Sequence, residues 1–280
     1  MERLKIGITG AGGFIGRHLV SALEKLAGVD FTCFEGNLLN IADVEKYFGN
    51  NPSISQIIHL AGSFAGDFDT LMASNVVTTN NLLDVATKNK VNKIIFASTG
   101  AVYGEPLNSK SKEDDPLNPV TVYGLTKMFA EETIKYYART RNIKYVILRF
   151  PNVYGPGNNK GVICNFTESI KRNSTVELLG DGNQKRNFLY VEDAINAILK
   201  TLDYSLESGA INIAEPMLYS LNDLISALKS AGLGFDTVYR EKNPTNTLQN
   251  LSLDVAKANK VWEWSPKTTL IEGLKKLGTI

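Results

Sequence analysis

The apolar positions of this chain fall into two textures that take turns. Short, nearly continuous apolar runs occur at Lys5–Thr9, Phe31–Glu35, Gln56–Leu60, Lys93–Ala97, Lys144–Phe150 and Ala210–Ile213. Such runs predict strands covered on both faces, as in a parallel sheet. Between them, apolar residues recur at three- and four-residue spacing, as in Leu71–Asn89 and Val122–Arg141, which predicts amphipathic helices. Strand and helix in regular alternation predict an α/β fold, a doubly wound parallel sheet with helices on both faces. From Pro151 onward the texture changes: Asn152-Val153-Tyr154-Gly155-Pro156-Gly157-Asn158-Asn159 is rich in turn residues, and short helices with polar loops follow it. Residues 1–150 are expected to form one domain and 151–280 mainly a smaller lobe, with part of 185–215 returning to the sheet. There is no internal repeat and no low-complexity segment.

The first strand runs straight into Gly10-Ala11-Gly12-Gly13-Phe14-Ile15-Gly16, which opens an amphipathic segment containing Leu19, Val20 and Leu23. A first glycine permits the tight strand-to-helix turn, a second lets backbone approach a pyrophosphate, and a third lets the helix pack closely. Free N–H groups and the positive end of the helix dipole would then hold the anion. In this context Gly10, Gly13 and Gly16 read as a dinucleotide-binding fingerprint.

Composition narrows the function classes. At 43% hydrophobic and 21% charged, with a net charge of +1, the chain has an ordinary globular composition. Its lysines and arginines are scattered, whereas nucleic-acid binding needs a concentrated basic face. No apolar run approaches the ~20 residues of a membrane span. Met1-Glu2-Arg3-Leu4-Lys5 enters the first strand with no room for a signal peptide, so a cytoplasmic protein is expected. Cys33 and Cys164 are expected to be buried free thiols, and with only His18 and His59 besides, no metal site is expected.

Two further segments bear on chemistry. Phe96-Ala97-Ser98-Thr99-Gly100-Ala101-Val102-Tyr103-Gly104 lies at the carboxyl end of a predicted strand. Tyr123-Gly124-Leu125-Thr126-Lys127 follows a Pro- and Asp-containing loop, and its spacing of four puts the tyrosine and lysine on one helix face. With these residues the chain resembles an extended short-chain dehydrogenase/reductase of the nucleotide-sugar epimerase/dehydratase branch. The resemblance covers nearly the whole length. It rests on Thr9-Gly10-x-x-Gly13-x-x-Gly16, His59-Leu60-Ala61-Gly62, Ser98-Thr99 before Val102-Tyr103-Gly104, Tyr123-x-x-x-Lys127, Arg149 to Pro156, and Gly180 to Val191, all in order.

The resemblance implies a Rossmann-type fold, an NAD cofactor (with NADP open), a nucleotide-diphosphate sugar as substrate, and a homodimer. It implies Tyr123 as the proton-transfer group, Lys127 as its tuning partner and ribose contact, and Thr99 as a hydrogen-bond donor to the same sugar oxygen. A free tyrosine has a pKa of about 10, and a neighbouring lysine ammonium and a nicotinamide cation together are expected to lower it. Phe14, Ile15, Leu60, Ala61, Gly62, Phe150 and Pro151 are implied cofactor contacts. Arg186 is the implied grip on the diphosphate through charge-assisted bonds. Asn152 is expected to touch sugar or phosphate, and Asn75 to brace a strand-end loop.

Departures from the family pattern sharpen the reading. Phe31–Glu35 runs directly into Gly36-Asn37-Leu38, so one strand and one helix are missing and the adenosine pocket is shorter. By the resemblance Glu35 is the expected ribose contact, Asn37 stands where the family has aspartate, and Leu38 is expected at the adenine. No Lys or Arg between residues 26 and 45 is available for a 2′-phosphate, which favours NAD. Gln249 and Asn250 stand where a second diphosphate arginine is usual. Gly100 and Ala101 hold the places of an acid–base pair used for 4,6-dehydration, and neither can move a proton. Chemistry is thereby confined to hydride transfer at one carbinol carbon, most plausibly hexose C4. A 4-epimerase leads, a 4-ketoreductase using NAD(P)H follows, and a non-catalytic dinucleotide sensor is a remote third.

Overall fold

The computed structural model describes residues 3–173, 175–203, 208–241 and 250–277. The chain opens with β1 (Leu4–Thr9), α1 (Phe14–Leu23), β2 (Val29–Cys33), α2 (Ile41–Asn50) and β3 (Gln56–His59). Then α3 (Phe68–Met72) passes through a π-helical stretch, Ala73–Val77, into α4 (Thr78–Lys88), and β4 (Lys93–Thr99) ends in a 3-10 turn at Gly100–Tyr103. α5 (Val122–Arg141) and β5 (Lys144–Phe150) follow, then β6 (Asn152–Tyr154), α6 (Val162–Asn173), β7 (Thr175–Leu179), β8 (Lys185–Arg186) and β9 (Phe188–Tyr190). The remainder is α7 (Val191–Lys200), β10 (Gly209–Asn212), β11 (Tyr219–Ser220), α8 (Leu221–Ser230), β12 (Asp236–Arg240), α9 (Ala256–Trp262) and α10 (Leu270–Lys276).

Six strands make one sheet in the order β10-β5-β4-β3-β1-β2, and every neighbouring pair is parallel. Its two faces bury separate apolar clusters. One holds Ile6, Ile8 and Ile58 against Leu19 of α1, Ile198 of α7 and Trp262 of α9. The other holds Ile57, Ile94 and Phe96 against Phe48 of α2, Leu82 of α4 and Ile134 of α5. This is the doubly wound arrangement that the alternating pattern predicts. β4 and β5 run in register from Lys93 opposite Lys144 to Thr99 opposite Phe150, so their carboxyl ends stop level with each other. In open α/β sheets that end forms the ligand crevice.

The strand order bears out the shortened first half. β2 is a sheet edge, and the chain passes through α2 directly to β3 on the other side of β1. β2 ends at Cys33 rather than Glu35. Beyond it an Asx turn pulls the chain off the sheet: Asn37 N donates to Asp43 Oδ2 at 2.8 Å, and Asn37 Oδ1 accepts from Leu39 N at 2.9 Å. The helix expected over Leu71–Asn89 is interrupted by the π-helical stretch, which carries the buried Asn75. Both cysteines are free but only partly buried, which corrects the expectation of buried thiols. Cys33 lies on the edge strand, where no further strand covers it.

Past β5, the chain builds a third apolar cluster from Tyr154, Phe166, Val176, Phe188, Leu224 and Leu270, among others. β6 pairs with β9, β7 with β12 and β8 with β11, while β10 returns to the main sheet beside β5.

Candidate active site

The glycine turn closes on itself. Gly10 has φ +73°, and a Cβ there would lie 2.6 Å from Ala61 N, so the turn abuts the end of β3. A side chain at Gly16 would collide with Gly10 O and Ala11, so the third glycine seats helix against turn rather than helix against sheet. Gly13 precedes α1 with no side-chain cap, and the first turn of α1 holds no acidic residue. Uncapped N–H groups beside a side-chain-free turn fit the diphosphate of a dinucleotide. Phe14 and Ile15 are partly buried in the first turn of α1, and Leu60 and Ala61 are partly buried beside it.

At the other end of the crevice three side chains converge. Thr121 accepts from Gly124 N at 3.0 Å and caps α5, so the helix begins one residue before Tyr123. Thr99, at the end of β4, bears on the Tyr123 phenol and accepts from Ala101 N at 3.2 Å. One turn along α5, the Lys127 ammonium stands 3.9 Å over the ring of Phe96. Burial pushes the Tyr123 phenol up to about 12, against the opposing effect of Thr99, and pulls Lys127 down to about 7, against the charge of Glu131. In the protein alone, then, Tyr123 is not lowered as its spacing to a lysine suggests; desolvation outweighs the neighbour.

Behind these groups lies a polar network with little access to water. Glu131 is fully buried, and Arg149 and Ser98 are 2% and 5% exposed. Arg149 donates from Nε and Nη2 to Glu131 at 3.1 and 2.7 Å, and from Nη1 to Tyr103 Oη at 2.6 Å. Tyr103 donates in turn to Asn212 Oδ1 at 2.8 Å. Asn75 Oδ1 accepts from Ser63 N at 2.9 Å, and its Nδ2 donates to Ser63 O at 2.8 Å and to Thr126 Oγ1 at 3.0 Å. Asn75 therefore fixes the loop after β3 to the helix that carries Lys127. His59 sits between Thr9 Oγ1 at 2.6 Å and Thr79 Oγ1 at 3.0 Å, and burial holds it neutral with a pKa of about 3.

The far wall comes from the second half of the chain. Phe150 is buried in the first cluster, and Pro151 and Asn152 are partly buried after it. Arg186 is partly buried in β8, where burial lowers its pKa and the Glu105 carboxylate opposes that shift. Asn250 lies alongside, accepting from Lys185 N at 3.0 Å and donating its own N–H to Glu105 Oε2 at 3.0 Å. Gln249 lies outside the described residues. A Cβ on Gly100 would lie 2.8 Å from Leu251 Cδ1 and 2.9 Å from Leu253 Cδ2, so any side chain here would have to displace two leucine side chains, and glycine itself carries no acid or base. Phe64 meets the Tyr123 ring edge-on at 6.4 Å, and Lys160 stands 4.6 Å over Phe64. Among the described residues, no group of three or more His, Cys, Asp or Glu could hold a metal ion.

Along its matching segment, residues 6–214, the chain fits the model of the NAD dependent epimerase/dehydratase family. It is 33% identical to a putative UDP-glucose 4-epimerase of Methanocaldococcus jannaschii, across 96% of each chain. The chain belongs to the NAD-dependent epimerase/dehydratase family. Its fold is similar to UDP-glucose 4-epimerase of Thermotoga maritima, solved with UDP-glucose, at TM-score 0.89 and 28% identity, covering 98% of this chain and 97% of that one. It is also similar to UDP-glucuronic acid 4-epimerase of Bacillus cereus, solved with UDP-glucuronic acid and NAD, at TM-score 0.85 and 27% identity, covering 98% and 97%. The family is NAD-dependent, and the glycine turn of this member fits that cofactor.

At the β2 edge, this family member has a cavity of about 620 Å³, lined by Gly12, Arg17, Cys33, Phe34 and Glu35 among others. Glu35 and Asn37 are exposed there, while Leu38 points into the second cluster, so any contact from Leu38 is limited to its backbone. Arg17 is a group that a search of residues 26–45 misses. It reaches the cavity from α1 and donates to Gly12 O at 2.8 Å and Gly157 O at 3.2 Å. In the sequence Arg149 stands only as the start of a motif, with no role of its own, and Glu131 carries no motif. Glu131 was within reach, because it continues the four-residue spacing of Tyr123 and Lys127.

Proposed function

We propose that the protein is an NAD-dependent 4-epimerase of a nucleoside-diphosphate hexose, with a UDP-sugar as the first candidate. The observation that carries this reading is the convergence of Thr99, Tyr123 and Lys127 at the ends of β4 and α5, beside a Gly100 that cannot carry an acid or base. Tyr123 exchanges a proton with the hexose O4, and Thr99 holds the same oxygen. Lys127 supports the charge that Tyr123 acquires when it gives up its proton. Arg186 binds the diphosphate, and Asn152 contacts the sugar. Gly10, Gly13, Phe14, Ile15, Gly16, Glu35, Asn37, Leu38, Leu60, Ala61, Gly62, Phe150 and Pro151 hold the dinucleotide together with Tyr123 and Lys127. When bound, NAD supplies the hydride acceptor for C4 and then the hydride donor to its other face.

A 4-ketoreductase is the second reading, and the open cavity at the β2 edge favours it, because a reductase must exchange its cofactor every turnover. The two readings part in one experiment: incubation with UDP-glucose and NAD, following sugar products and absorbance at the NADH band together. A UDP-hexose product without net redox change supports the epimerase. Net consumption of added NADH with a 4-keto sugar, and no epimerisation, supports the reductase.

We read the chain as two lobes, 1–150 and 151–280 with part of 185–215 returned to the sheet; the separate third cluster and the place of β10 support this. A homodimer is supported by the exposed stripe Val122, Phe129 and Tyr136, seven residues apart along α5. Light scattering on the purified chain tests it, and a monomer that persists at high concentration would sink it. Two unpaired thiols support a cytoplasmic setting.

A further inference from the structure

Tyr123, Lys127 and Glu131 stand four residues apart on α5, so they lie one above another on one face of the helix. The first two belong to the reaction centre proposed above. The third does not reach it, yet it is fully buried. A carboxylate at that depth costs stability unless its charge is matched and its oxygens are bonded. Glu131 satisfies both conditions with groups from two strands. Its Oε1 accepts from Ser98 Oγ at 2.5 Å and from Arg149 Nε at 3.1 Å, and its Oε2 from Arg149 Nη2 at 2.7 Å. Ser98 immediately precedes Thr99 on β4, Arg149 immediately precedes Phe150 on β5, and Thr99 and Phe150 are register partners. One carboxylate thus ties the helix bearing Tyr123 and Lys127 to both strand ends that face them.

The same carboxylate is the negative charge that bears on Lys127. Among the described residues, the groups that pack around the ammonium from other elements supply no second anion. β4 contributes the Phe96 ring, and β3 contributes His59, which burial holds neutral. The π-helical stretch contributes the Asn75 amide, bonded to Ser63 and Thr126. From β5, the Arg149 guanidinium is engaged by Glu131 and Tyr103. Glu113, on the loop before α5, directs its carboxylate to Asn212 N at 2.9 Å. Tyr123, on the same helix, is held neutral by burial.

We propose that Glu131 is a positioning residue for this reaction: it clamps α5 to the ends of β4 and β5 and supplies the negative charge that keeps Lys127 an ammonium. The inference rests on the assignment of Tyr123 and Lys127 above. Replacing Glu131 by Gln keeps the shape and removes the charge. The ammonium is then less favoured, and the Lys127 midpoint falls; an opposite charge nearby is worth about 1–3 pKa units, and one shared with Arg149 about one.

The test uses the full chain labelled with 15N-lysine, following the Nζ resonances against pH without added ligand, with Lys127→Met identifying the signal. The wild-type midpoint is expected near the about 7 to which burial brings Lys127, and that of Glu131→Gln about one unit lower. Ser98→Ala, which removes one hydrogen bond and keeps the carboxylate, should leave the midpoint in place. An unchanged midpoint in Glu131→Gln overturns the proposal. If that variant does not fold, Arg149→Gln is compared with Arg149→Gln plus Glu131→Gln: the double variant should titrate at least about one unit lower than the single, and equal midpoints overturn the proposal. In turnover, Glu131→Gln should lower kcat, leave KM for the UDP-sugar unchanged and bring the alkaline loss of kcat in about one unit earlier, with Glu131→Asp restoring part of it. A uniform loss at every pH would mean a merely structural role and also overturns the proposal. Failure of the underlying assignment looks different: Tyr123→Phe would then retain full turnover whatever the Lys127 titration shows.

Discussion

Where β4 and β5 stop, Ser98, Thr99, Lys127, Glu131 and Arg149 are all buried; Glu131 is bonded to Ser98 and Arg149 across β4, α5 and β5, and the Lys127 ammonium lies over the Phe96 ring. Where β2 stops, Glu35 and Asn37 are exposed, the sheet has no further strand, and a cavity of about 620 Å³ opens between Arg17 and Glu35. In the proposed function both ends hold the same dinucleotide. The difference follows from what each end must do. Proton and hydride transfer need atoms held to within a fraction of an ångström, and only a packed, fully bonded surround supplies that. Holding adenosine needs contact area alone, and area can be trimmed with a loss in residence time rather than in chemistry.

That comparison can be broken most decisively at the reaction end. Tyr123→Phe removes the proton relay and keeps the ring, so turnover should fall roughly 10²–10⁴-fold while dinucleotide binding persists. Single-turnover rates and a dinucleotide titration on the same preparation check both halves, and wild-type turnover would remove Tyr123 from the mechanism. Next in size is Arg149→Leu. It leaves Glu131 as an unpaired buried charge, which should cost about 3–5 kcal/mol of folding stability. Urea unfolding measures it, and a loss below about 1 kcal/mol would mean that this end is no better tied than an exposed ion pair.

Arg186→Ala should weaken nucleotide-sugar binding by about 1.5–3 kcal/mol, the range for a charge-assisted hydrogen bond, without touching dinucleotide affinity. Calorimetry with each ligand separates the two, and a loss confined to the dinucleotide would reassign the arginine. The smallest effect is expected at the β2 edge. Glu35→Gln should change NAD affinity by about 1 kcal/mol, because one exposed contact is replaced by a neutral one. For the same reason the protein should emerge from purification only partly loaded with NAD(H). Stoichiometric NAD that survives extensive dialysis would show that the edge encloses adenosine after all, and would turn the choice firmly to the epimerase.

Much of this molecule is local in origin, and so it was legible from the chain. The apolar runs place the sheet strands to within a few residues, because burial on both faces leaves a continuous apolar stretch. Val122–Arg141 coincides with α5, since its spacing and the Thr121 cap are both local signals. The glycine turn and the Tyr123–Lys127 pair are legible for the same reason, whereas the missing strand beyond β2 is legible only against the family pattern. Gly100 and Ala101 rule out an acid or base at their positions by composition alone.

Only the tertiary structure decided the rest. Strand order is set by which edges pair in space, and the π-helical turn at Asn75 by a contact with Ser63 and Thr126 from elsewhere in the chain. Arg17 enters the adenosine side from α1 because α1 packs beside β2, a fact no window of residues 26–45 contains. The protonation of Tyr123 and Lys127 is likewise collective: spacing puts the two side chains together, but the surrounding Phe96, Thr99 and Glu131 set how much charge they can carry. Sequence by itself determined which groups are present and which face of an element they share. Burial depends on everything packed around them, and it decided what those groups can do.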